Sequence, residues 1–162
     1  MATALLVSLA GANAHDMPGM DMSPKHGHAA HIETFTVGEP GKPGKVDRVV
    51  PIATKDASFE PNSLDVKLNE TIRFVITNTS TVDHEFILGD VAAEIAHRKE
   101  MTAMSDKGQE MHDDPNGIGV KAGKTRELIW KFTRAGNFEF DCDIPGHFES
   151  GMAGAIHVKG KS

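Results

Sequence analysis

Phe138-Glu139-Phe140-Asp141-Cys142-Asp143-Ile144-Pro145-Gly146-His147-Phe148-Glu149-Ser150-Gly151-Met152 concentrates the chemistry of this chain. Phe138 and Phe140 alternate with polar residues and predict a strand with one buried face. Pro145-Gly146 and Ser150-Gly151 break that strand into a loop. Ala155, Ile156 and Val158 predict a returning strand. The only cysteine, Cys142, therefore shares one strand-loop-strand corner with His147 and Met152. A thiolate, an imidazole and a thioether form a soft ligand set. They suit copper, whereas zinc prefers Cys, His and carboxylate. One more imidazole would complete a trigonal Cys-His-His site with a weak axial Met. His84, at the head of the apolar run Phe86-Ile87-Leu88, supplies it.

The arrangement His84 … Cys142-x4-His147-x4-Met152 resembles the cupredoxins, single-domain type 1 copper proteins. Its Cys-to-His and His-to-Met spacings are similar to those of rusticyanins and phytocyanins. The Met- and His-rich leader and an inserted Met segment resemble periplasmic copper-tolerance cupredoxins of the CopI type. The resemblance runs from Val46 to Lys159. It implies an all-β, Greek-key β-sandwich binding one copper that cycles between Cu(I) and Cu(II). It makes His84, Cys142, His147 and Met152 the metal ligands, with His147 the solvent-facing electron exit. The expected role is copper tolerance or copper handling; the alternative is a mobile one-electron carrier between periplasmic redox partners.

Bulk properties agree with one globular domain: 162 residues, 39% hydrophobic and 25% charged. A net charge of -6 argues against nucleic acid and anionic membrane surfaces as partners. Periplasmic redox or copper-handling proteins are the expected partners, and a monomer is expected. One cysteine excludes an intrachain disulfide. Ala4 to Ala10 is a short apolar run followed by Ala12-Asn13-Ala14, a small-x-small cleavage pattern. Residues 1–14 are thus read as a secretory signal peptide, and the run is too short to span a bilayer. A periplasmic location follows.

Residues 15–31 hold His15, Met17, Met20, Met22, His26, His28 and His31 among prolines and glycines. Such a tract reads as a flexible metal-binding tail, with thioethers for Cu(I) and imidazoles for Cu(II). The cupredoxin domain is assigned to 32–162. Ile32 to Val37, Val46 to Thr54, Thr71 to Thr77, His84 to Leu88, Thr125 to Thr133, Asn137 to Cys142 and Ala153 to Val158 read as strands, and Phe59 to Leu68 as apolar positions broken by Pro61-Asn62. Seven or eight short strands with turn-rich joints imply a sandwich. Pro51 marks an edge or bulge. The insert 90–117 is too long for a hairpin loop. It predicts a helix capped by Asp90 and ending near Gly108, with a Glu94–Arg98 ion pair at i,i+4. Asp114-Pro115-Asn116-Gly117 turns the chain back. Met101, Met104, Met111 and His112 in this insert are either packing residues or secondary copper ligands.

Two other chemistries compete. A multicopper oxidase flanks its cysteine with histidines; here Asp141 and Asp143 stand there, so no trinuclear cluster is wired and no enzyme activity is expected. A cysteine hydrolase would pair Cys142 with His147 or His84 but needs an orienting group and an oxyanion hole that the sequence does not supply. Asp141, Asp143, Glu85 and Glu149 put negative charge around the site, which is expected to favour Cu(II). Glu149 is also a carboxylate that could replace Met152 at the metal. Backbone N–H groups near Glu85 and in Ile144 to Gly146 are expected to reach the sulfur, and His157 is left at the surface.

Overall fold

The computed structural model describes residues 35–107 and 112–160. The signal segment, the Met/His tail and Met111 lie outside them.

The described chain forms ten strands and one α-helix, with a short 3-10 turn at Pro43–Lys45, in the order β1 (Glu39–Pro40), β2 (Arg48–Lys55), β3 (Ser58–Glu60), β4 (Ser63–Lys67), β5 (Thr71–Asn78), β6 (His84–Gly89), α1 (Val91–Asp106), β7 (Gly117–Val120), β8 (Thr125–Lys131), β9 (Gly136–Asp141) and β10 (Ala153–Lys159). They make two mixed five-stranded sheets, β1-β8-β5-β2-β3 and β4-β10-β9-β6-β7. β2 runs parallel to β5 and β10 parallel to β4; the remaining pairs are antiparallel. The strand count exceeds the expected seven or eight because β1, β3 and β7 are too short to show a period.

Period-two patterning builds the core. Ile72, Phe74 and Ile76 of β5 are fully buried on one face. Leu128 and Trp130 of β8, with Phe132 just beyond it, do the same. The sheets meet through aromatic pairs: Phe74 lies 5.2 Å from Phe86 at a tilt, and Phe59 lies 5.2 Å from Phe140 edge-on, ring centre to ring centre. Pro51 pairs with Val75 where β3, which begins pairing only at Ala53, does not cover the other side. Its missing N–H thus falls at an edge, as expected.

At its described end, residues 35–37, the first expected strand does not form. Phe35 and Gly38 bridge across a turn at Thr36-Val37 instead, and Val37 tucks its side chain into the core. Residues 32–34 of that run lie outside the described chain.

β6 and α1 position the site. All six residues of β6 are buried. One face looks into the sandwich and the other is covered by α1, which is why the strand reads as a continuous run rather than an alternation. Asp90 caps α1, accepting from the N–H groups of Ala92 and Ala93 at 3.0 Å. The expected Glu94–Arg98 pair does not form. Arg98 turns instead to Asp141 and Asp143, because buried carboxylates need a cation more than a surface pair does. Glu94 is buried, and Gly89 makes its place: a Cβ there would lie 1.7 Å from Glu94 Oε1.

Candidate metal centre

Cys142 follows directly on the end of β9. Its N–H donates to Met152 O at 3.2 Å, closing the loop between them. Within that loop His147 N–H donates to Ile144 O at 3.0 Å, and Met152 N–H donates to His147 O at 3.1 Å. Gly146 (φ 89°) and Gly151 (φ 94°) take the left-handed turns that these bonds require. Glu149 does not point at the cluster. Its Oε2 accepts from Gly146 N–H at 3.1 Å and so caps the turn.

Three donor atoms converge. His84 Nδ1 lies 3.3 Å from His147 Nδ1, and Cys142 Sγ lies 3.3 Å from His147 Nδ1. All three residues offer donors within 4.8 Å of one another. Metal–ligand bonds of about 2.0–2.3 Å put trigonal donors roughly 3.5 Å apart, so a first-row ion fits between them. Without an ion, one ring can donate its Nδ1–H to the other across this 3.3 Å contact; with an ion, both Nδ1 atoms are free to ligate. His84 Nε2 meets Ser80 Oγ at 2.8 Å, which orients the ring and leaves Nδ1 for the metal. His84, Cys142 and Met152 are fully buried, whereas His147 is half-buried. The Met152 side chain joins the same apolar cluster as Cys142.

The sulfur has the expected amide donor: Glu85 N–H reaches Sγ at 3.3 Å. Burial pushes the metal-free thiol up to about 12, against the amides of Glu85 and Ile144, which favour thiolate. Burial likewise lowers both His84 and His147. The metal-free centre thus holds a neutral thiol and two neutral imidazoles.

Around it lies a charged layer that the sequence reading did not assemble. Arg98 Nη1 donates to Asp141 Oδ2 at 2.7 Å and to Asp143 Oδ1 at 3.1 Å. His97 Nε2 meets Glu85 Oε1 at 3.2 Å, and its Nδ1 lies 3.6 Å from Asp114 Oδ2. Burial alone would depress His97, but Glu85 and the other carboxylates outweigh it and raise the ring. The negative charge expected at the site is therefore largely partnered. Glu94, Asp141 and Asp143 form a second tight group. With all three ionised, both Glu94 oxygens, Asp141 Oδ1 and Asp143 Oδ2 lack a donor among the described residues. A proton on Glu94 bridges it to Asp141, and burial, then Asp141, pushes Glu94 up to about 10; burial, then Asp141, also raises Asp143, to about 7. The Asp-Cys-Asp flanks are the signal that could have revealed the layer, since two acids beside a buried cysteine demand a cation.

Of the secondary candidates, Met101 is buried and Met104 half-buried on α1. His112 Nε2 lies 3.3 Å from Asp114 Oδ2, with its ring 5.9 Å from that of His97. His157 is exposed and bonds Asn137 Oδ1 at 2.9 Å, as a surface residue should.

Comparison with known proteins agrees with this geometry. Residues 46–159 match the family model described as copper binding proteins, plastocyanin/azurin family. The chain is 43% identical over 143 residues to the copper-resistant cuproprotein CopI of Rubrivivax gelatinosus, covering 87% of this chain and 85% of that one. It is 36% identical to CopI of Pseudomonas aeruginosa, covering 85% and 86%. Among solved structures, auracyanin B superposes with a TM-score of 0.62 at 20% identity, covering 75% of this chain and 94% of that one. Auracyanin A of Chloroflexus aurantiacus gives 0.57 at 22%, covering 68% and 98%. These structural likenesses speak to the fold.

Proposed function

Because the chain belongs to the plastocyanin/azurin family of copper-binding proteins, we propose that His84 Nδ1, His147 Nδ1 and Cys142 Sγ would hold one copper ion, with Met152 as a fourth, weaker ligand. The convergence of those three donors beside an amide-bonded sulfur carries this reading. Copper so held supplies one-electron Cu(I)/Cu(II) chemistry. The protein's own part is to keep the donors still. β6 and Ser80 fix His84, the end of β9 fixes Cys142, and the turns of the loop fix His147. A site that does not rearrange between oxidation states exchanges electrons at low cost. Glu85 N–H takes negative charge from the sulfur and tunes the potential.

The biological role is copper tolerance or handling in the periplasm, entered through the N-terminal signal peptide. CopI relatives named as copper-resistant support it. The Met/His tail (His15, Met17, Met20, Met22, His26, His28, His31) and the insert residues Met101, Met104, Met111 and His112 are the proposed secondary copper ligands. A second reading, a mobile electron carrier, draws on the half-buried His147 beside the fully buried His84, which gives one side of the site an exit to a partner. Hydrolysis by Cys142 is disfavoured, since a fully buried thiol pushed up to about 12 is a poor nucleophile.

The decisive measurement is the visible spectrum of copper-loaded protein beside that of Cys142→Ser. An intense sulfur-to-copper band that vanishes in the variant supports the reading, and a colourless parent protein overturns it. Copper counting then separates the roles. Two or more ions per chain, reduced to one on deleting residues 15–31, favour handling; a single ion in the parent favours the carrier.

A further inference from the structure

We propose that Arg98 of α1 is a positioning residue for the metal centre, a clamp that holds the ligand loop from outside the sandwich. Its functional meaning rests on the type 1 copper reading; its geometry does not.

Arg98 reaches three residues, and each adjoins a proposed ligand in sequence. Nη1 donates to Asp141 Oδ2 at 2.7 Å and to Asp143 Oδ1 at 3.1 Å, on either side of Cys142. Cζ lies 3.6 Å from the ring centre of Phe148, the residue after His147. A guanidinium has an edge that forks onto carboxylates and a face that stacks on rings. Here the edge holds the cysteine end of the loop while the face holds the histidine end. The arginine side chain is 16% exposed and both aspartate side chains are 0% exposed. Ion pairs in that setting are weakly screened and costly to break from one side.

The loop needs an outside hold. No strand lies between β9 and β10, and the bonds that shape residues 143–152 are mostly turns within the loop itself. α1, in contrast, is a sixteen-residue helix with a satisfied N-cap. Arg98 transfers that rigidity to the loop. Lysine replaces it only in part, because an ammonium is a point charge without a fork or a stacking face.

The test uses hydrogen–deuterium exchange of the metal-free full chain, with copper spectra as a second readout. Arg98→Met should speed exchange across residues 143–152 roughly tenfold or more, while β5 and β8 stay as in the parent. Arg98→Lys should fall between the two. The copper-loaded Arg98→Met protein should show a shifted sulfur-to-copper band and an altered reduction potential. If Arg98→Met does not fold, Phe148→Leu keeps both ion pairs and removes only the stack. Its faster exchange should then be confined to residues 147–151. Loop exchange within about twofold of the parent in folded Arg98→Met, or in Phe148→Leu where that variant is needed, overturns the clamp. A parent protein that stays colourless with copper would count against the metal reading alone and leave the exchange result standing.

Discussion

Glu94→Gln should stabilise the metal-free protein at neutral pH far more than at acid pH. Glu94 is buried beside Asp141 and Asp143. Burial and then Asp141 push its folded-state value from 4.5 up to about 10. Between those two values the folded protein keeps a proton that the unfolded chain has released. Stability is then complete below about pH 4.5 and falls by about 1.4 kcal/mol for each pH unit above it. From pH 5 to pH 7 the loss is about 2.7 kcal/mol. The size does not depend on where above neutrality the folded group titrates. Glutamine has the same shape, can still donate to Asp141 and does not titrate. Urea unfolding of both proteins at pH 5 and pH 7 should show the variant's advantage growing by about 3 kcal/mol. An advantage that is the same at both pH values would refute the reasoning. It would mean that Arg98 keeps all three acids ionised in the fold.

Three further expectations follow from single features. Copper binding should release one proton per ion between pH 7 and pH 9, because the neutral Cys142 thiol must ionise to ligate; calorimetry in buffers of different ionisation enthalpy reads the number, and zero would mean that the thiolate pre-exists. Ser80→Ala frees His84 Nε2 and should weaken copper affinity by about 10–100-fold in chelator competition, with no change pointing to another anchor for the ring. Gly89→Ala drives a Cβ onto Glu94 Oε1 and should cost about 1–3 kcal/mol in urea unfolding. Combining it with Glu94→Ala should recover much of that loss, and strict additivity would mean that the two residues do not meet.

The ligand corner is legible in the sequence because ligand type, spacing and loop breakers coincide within fifteen residues. β5 and β8 are legible because each has one wet and one dry face, so the period of two survives. Asp90 is legible because a cap acts on its own first turn. Arg98 defeats local reasoning: the i,i+4 rule offers Glu94, while the true partner Asp141 is 43 residues away. Glu94 itself looks like a solvent-facing helix residue, and only Gly89, small enough to admit it, hints otherwise. Ile32 to Val37 shows the opposite failure. The alternation is present, but its described end, Phe35 and Val37, goes into a turn against the core.

The pairing of β10 carries a consequence for when the metal can arrive. This strand lies parallel to β4 and antiparallel to β9, and it sets the position of Met152 opposite Cys142. The donors thus meet only once β10 has found β4, far back along the chain, a slow kind of closure. The ion is then a late guest in a finished house rather than the nucleus around which the chain gathers, and apoprotein should reach its native shape unaided.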